Sequence, residues 1–140
     1  MIIDSIRDYI GSLDCLQEFE NAINVNYLDD ITSSFSIEEI PCNPVVKKYT
    51  DGSTKKQYQF AFCGREPYSQ EILQNIENSS FYEKFAREIE TKNINGDLPI
   101  LDTKLEATNI EVISNAYTLS VTEDTSMYQI QIKLNYLEVI

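Results

Sequence analysis

The strictest alternation of apolar and polar positions lies towards the end of the chain. Tyr128, Ile130, Ile132, Leu134 and Tyr136 alternate with Gln129, Gln131, Lys133 and Asn135. A period of two places the two sets on opposite faces of a strand, and residues 127–136 predict about 33 Å of it. Just before, Tyr117, Leu119 and Val121 alternate with Thr118, Ser120 and Thr122, with a turn over 123–126. A third alternating run sets Tyr58, Phe60 and Phe62 against Gln57, Gln59 and Ala61, an aromatic face against a largely amide one. Asp51-Gly52 precedes it, the common filling of a two-residue type I′ turn in which both residues take positive φ. Residues 45–63 therefore predict a long β-hairpin. Shorter alternations around Ile23, Val25 and Tyr27, and around Phe35 and Ile37, predict two more strands, with a turn at Asp29-Asp30 and Thr32-Ser33-Ser34 between them. Pro41 and Pro44 then confine the next stretch to a sheet edge or a bulge.

Elsewhere the period is helical. Ile2, Ile3, Ile6, Tyr9 and Ile10 predict a helix over 2–10, with Gly11 as its stop and a turn or loop from Leu13 to Phe19. Ser69 is placed to cap a short helix holding Ile72, Leu73 and Ile76. Asn78 or Ser79 caps a second over about 79–92, with Phe81, Phe85 and Ile89 as its inner stripe. Glu83, Arg87 and Glu90 take its outer face, and Asn95-Gly96-Asp97 closes it. The stretch 98–107 reads as irregular, with 109–113 as a further short strand. The order of elements predicts a single α+β domain over 1–140, with a mainly antiparallel sheet, helices on one face and a long projecting hairpin.

Composition narrows the function classes. A net charge of −12 and a sequence pI near 4.3 disfavour binding to nucleic acid or anionic membrane through charge. No apolar run approaches the roughly 20 residues of a spanning helix. The start, Met1-Ile2-Ile3-Asp4, lacks the pattern of a signal peptide, which predicts synthesis in the cytoplasm. The three cysteines, at 15, 42 and 63, have neither C-x-x-C spacing nor even number and predict reduced, buried thiols.

Candidate chemistry is sparse. The chain has no histidine, which removes histidine-based triads, bases and metal ligands together. It has no phosphate-binding glycine loop. Ser53 and Lys56 match S-x-x-K formally, but just beyond a hairpin tip where no pocket is expected. Asp29-Asp30 and Glu38-Glu39 lack the ligand spacing of a calcium loop. The expectation is a protein with no catalytic activity, cofactor or metal.

The hairpin carries the candidate interface: Lys47, Lys48, Asp51, Gly52, Lys55 and Lys56. With a two-residue loop, Lys48 faces Lys55 and Lys47 faces Lys56, and like charges opposite one another destabilise a ladder. Either the lysines solvate and guard an edge strand, or they meet an acidic surface of another chain, for which Asp29, Asp30, Glu38 and Glu39 of a second copy are candidates. Nine tyrosines fit an interface, where that residue is enriched.

Three stretches carry a family resemblance. They are Lys47-Lys48-Tyr49-Thr50-Asp51-Gly52-Ser53 with Gln57-Tyr58-Gln59-Phe60-Ala61-Phe62; Asn75-Ile76-Glu77-Asn78-Ser79-Ser80-Phe81-Tyr82-Glu83-Lys84-Phe85; and Asn115-Ala116-Tyr117 with Glu123-Asp124-Thr125-Ser126-Met127-Tyr128-Gln129-Ile130-Gln131. Together they resemble small proteins encoded among the head and tail genes of tailed phages and prophages of low-GC Gram-positive bacteria, a family similar to tail terminators. The resemblance implies an α+β virion structural protein, made in the host cytoplasm and placed in the tail or tail-like particle. It implies a homo-hexameric terminator or collar ring that caps the tail tube, meets the sheath protein if the tail is contractile, and joins a neck or connector protein. DNA would be only cargo passing through the lumen, and no membrane is implied. The alternative is a head–tail connector or stopper of the neck.

Overall fold

The structure, a computed structural model, describes residues 2–16, 23–26, 28, 34–67, 72–121 and 125–139. Expectations for Phe19, Tyr27, Asp29, Asp30, Thr32, Ser33, Ser69 and the tip of the 123–126 turn fall outside these residues. Among the described residues two helices, α1 (Ile2–Gly11) and α2 (Ile72–Ile94), accompany a seven-stranded sheet. The strands are β1 (Ile23–Val25), β2 (Ser34–Ile40), β3 (Val45–Lys48), β4 (Thr54–Pro67), β5 (Leu105–Val112), β6 (Tyr117–Val121) and β7 (Thr125–Glu138). All ladders are antiparallel except that of β1 with β2.

The sheet is built on β4 and β7, each 14 residues long and paired from Thr54↔Glu138 to Pro67↔Thr125. β2 and then β3 run along the free side of β4, and β5 and then β6 along the free side of β7. Each outer path breaks once. Pro41 and Pro44 interrupt the first at the sheet margin, where a proline costs no central ladder bond; Gln57 N–H donates to Pro44 O at 2.9 Å. At the second break the Ser114 hydroxyl accepts from Gln131 N–H at 2.9 Å, standing in for a backbone carbonyl. The two breaks let long edge paths follow two long central strands without a continuous exposed ladder.

Alternation sorts the faces as expected. Phe60, Phe62, Ile130, Ile132 and Leu134 are buried with Phe35, Ile37 and Ile110. Ile6 and Ile10 of α1 and Tyr82, Phe85 and Ile89 of α2 belong to the same core. Phe85 stacks on Phe62 at 4.4 Å between ring centroids, and Phe62 on Phe35 at 5.3 Å. On the opposite face Gln129 and Gln131 both donate through Nε2 to the Tyr117 hydroxyl, at 2.9 and 3.2 Å, and Lys133 pairs with Glu111 at 2.9 Å.

Several local expectations are corrected. α2 is one helix through Asn78 and Ser79, so neither is a cap; Asn78 is buried inside it. Its inner stripe is Tyr82, Phe85 and Ile89, with Phe81 only partly buried. Gly11 is the last residue of α1 and not an αL stop; a tight turn over 14–16 follows, with Leu16 N–H donating to Leu13 O. β5 starts at Leu105, inside the stretch read as irregular, after Lys104 at φ 72°. In β6 the register shifts between Thr118 and Ser120, so Tyr117 pairs with Gln129 on the polar face while Val121 pairs with Ser126 on the other, and both are exposed. Tyr117 and Val121 therefore do not share a buried stripe.

Candidate assembly surface

The turn of the first hairpin is longer than two residues. Tyr49 N–H donates to Ser53 O at 2.9 Å and Gly52 N–H to Tyr49 O at 3.1 Å, enclosing Thr50, Asp51 and Gly52. Gly52 has φ 92° and Asp51 has no positive φ. That is a three-residue loop ending in a left-handed glycine, not a type I′ turn, and it corrects the expectation for Asp51-Gly52. Asp51 has another task. Its carboxylate accepts from Ser53 N–H at 2.9 Å and Ser53 Oγ–H at 2.6 Å, and these bonds hold its pKa below the usual carboxylate value.

The extra loop residue moves the register. Lys47 faces Lys55, Lys48 faces Thr54, and a shift between Val45 and Lys47 brings Val45 opposite Lys56. Of the two expected lysine pairs, one like-charge pair is present, between different members. Lys56 is drawn to β7, where its ammonium pairs with Glu138, chiefly through a hydrogen bond that raises its pKa. A lysine held protonated is the wrong partner for a serine nucleophile, and Ser53 Oγ is committed to Asp51. The formal S-x-x-K match thus has no catalytic geometry.

Lys47, Lys48 and Lys55 have no carboxylate within ion-pair distance among the described residues. Lys47 lies over the Tyr49 ring, 5.2 Å from its centroid. Val46 and Tyr49 are exposed beside them. The corner is therefore basic and partly apolar in a strongly acidic chain. The hairpin is continuous with the sheet: its second arm pairs with β7 from its first residue.

The proposed acidic counterparts are scattered. Glu38 and Glu39 pair with Ala61 and Phe60 at the middle of β4, on opposite faces of the sheet. Asp29 and Asp30 lie outside the described residues.

Two concave features were not anticipated. One, of about 580 Å³, lies beside the hairpin tip, lined by Tyr49, Asp51, Ser53, Lys55, Thr108 and Leu137, and corrects the expectation that no pocket lies there. The other, a groove of about 640 Å³, runs between α2 and the 112–116 segment. Ala86, Val112, Ile113 and Ala116 supply apolar lining, Tyr128 and Ile130 its sheet side, and Glu83 and Glu90 its helix rim. The sequence held a signal for this rim. Glu83, Ala86 and Glu90 follow one another at helical spacing, but an acidic helix face reads simply as solvated.

Of the three thiols only Cys63 is buried, Cys15 and Cys42 being partly exposed, which corrects the expectation for those two. Cys15 and Cys63 are not poised for chemistry. Burial, with Glu88 alongside, pushes Cys15 up to about 12; burial, with Glu38 alongside, does the same to Cys63. Among the described residues no three Cys, Asp or Glu side chains gather as for a metal ion. Compared with known proteins, the chain matches no family model and no curated sequence.

Proposed function

We propose that the chain is a structural protein of a phage tail or phage-tail-like particle, a subunit of a hexameric terminator or collar ring. The ring caps the tail tube, and the sheath if there is one, and joins it to the head or neck. The reading rests on the three stretches that resemble the tail-terminator family. The observation that carries it is the corner formed by Lys47, Lys48 and Lys55: positive charge with no carboxylate partner among the described residues, beside exposed Val46 and Tyr49, in a chain of net charge −12. Such a corner suits contact with another acidic subunit, and on this reading the 49–53 turn stands out from the body to make it. Six copies carry a formal −72, which suits a lumen that passes DNA without holding it.

The test adds the purified chain to polymerising tail tube protein. The expected result is short tubes ending in a sixfold ring under electron microscopy. Tube lengths unchanged at saturating protein overturn the reading, and a twelvefold ring bound to a head portal replaces it with the neck connector.

A further inference from the structure

The basic corner and the acidic groove are complementary in charge, and among the described residues Lys48 of the corner and Glu90 of the groove have no ion-pair partner. The corner offers Lys47 and Lys48 beside exposed Val46 and Tyr49. The groove offers Glu83 and Glu90 above an apolar lining that includes exposed Ile113. Among the described residues Glu83 is engaged by Arg87 alone, four residues on, in an exposed pair of small worth that an incoming ammonium can replace. At about 640 Å³ the groove lies within the roughly 300–1,000 Å³ range of binding clefts, room enough for several side chains.

The two features do not meet within one chain. The hairpin flanks β4 beside Tyr136–Glu138 of β7, whereas the groove sits at Tyr128 and Ile130, roughly 26 Å along the strand. They also flank opposite sides of the β4–β7 pair, since β3 borders β4 and the 112–116 segment borders β7. We infer that the hairpin of one copy docks in the α2 groove of the next. Lys47, on the same face as Tyr49, and Lys48, on the opposite face of β3, then reach Glu83 and Glu90 from the two sides of the inserted hairpin, and Val46 and Tyr49 cover the apolar lining. Two different patches meeting in this way make a heterologous, head-to-tail contact, which closes into a ring if the rotation per subunit allows. The inference rests on the proposed ring and names its contact, but it can stand if the tail role fails.

Charge exchange tests it. In Lys47→Glu with Lys48→Glu the hairpin repels the native groove; in Glu83→Lys with Glu90→Lys the groove repels the native hairpin. Each variant alone should associate at least tenfold more weakly than wild type in sedimentation, while its thermal transition shows it folded. An equimolar mixture should recover assembly, because each hairpin then finds a complementary groove and the variants alternate. A mixture that stays monomeric, a single variant that assembles like wild type, or a wild type monomeric at high concentration overturns the inference. Should a reversal variant fail to melt cooperatively, the glutamine versions of the same pairs carry the test, since neutralising either side must weaken association. Assembly through this contact without tube capping removes the tail reading and leaves the inference. Capping by wild type with no recovery in the mixture does the reverse.

Discussion

Gly64 is where one atom decides the packing between α2 and the sheet. A Cβ on Gly64 would lie 1.8 Å from the Tyr82 hydroxyl oxygen and 2.9 Å from Phe35 Cδ1. Neither ring has room to yield: Tyr82 is fully buried and stacks on Tyr128 at 5.1 Å, and Phe35 is held between Phe62 and Phe81. Gly64→Ala should therefore destabilise the domain by about 1–3 kcal/mol in denaturant melts, the usual cost of overpacking. Adding Tyr82→Phe removes the closer atom and should recover part of the loss. The same tyrosine donates to Glu66 Oε1 at 3.1 Å. Burial raises the Glu66 pKa, opposed by that hydrogen bond. A carboxyl raised on folding binds its proton more tightly in the folded chain. Its contribution is thus favourable below the ordinary value of 4.5 and is lost as pH rises through the folded value. Glu66→Gln keeps an acceptor for Tyr82 and removes the charge. Its melting temperature should gain on wild type across that window and stay higher at neutral pH; a difference flat with pH would count against the assignment.

At the scale of elements, α2 and the first hairpin show what periodicity does and does not specify. Phe85 and Ile89 announced the buried face of α2, and both are fully buried. Phe85→Asp should abolish the cooperative melt, because the carboxylate would sit unpaired against Phe62; a soluble, cooperatively melting variant would contradict this placement. The period-two runs likewise revealed β4 and β7, since burial on one face leaves an alternation that any reader can count. Register was not legible. It depended on one extra loop residue at 50–52 and on shifts beside Val46, Thr108 and Leu119, none of which alters composition. The unbroken passage of α2 through Asn78 was hidden for a similar reason: a good capping residue inside a helix looks like a boundary until packing overrides it. The groove was illegible because it arises between elements distant in sequence. The register also divides the lysines into two kinds. Lys56→Gln should lower stability by about 0.2–1 kcal/mol, the worth of an exposed pair such as that with Glu138, and leave association unchanged. Glutamine at Lys47, Lys48 and Lys55 should leave the melt of the isolated domain no lower, since the Lys47–Lys55 repulsion is relieved.

For the whole molecule, the proposed assembly would set a local attraction against a global repulsion. Every copy carries −12, so bringing copies together costs free energy that grows as salt falls. At about 0.01 M salt the Debye length is near 30 Å, and most charges on neighbouring chains feel each other; at about 0.15 M it is near 8 Å, and only close contacts remain. A hairpin whose ammonium groups sit against carboxylates is screened later than charges dispersed over the body. Association should therefore rise with salt at first, as the body charges are screened, pass through a maximum, and fall when the lysine contacts are screened in turn. The triple glutamine variant has lost the second effect. Its association should be weaker than wild type near the maximum and rise with salt without turning over. Sedimentation equilibrium across a salt series measures both curves. If the two proteins trace the same curve, Lys47, Lys48 and Lys55 are solvated guards of an edge strand, and whatever association is measured runs through some other surface.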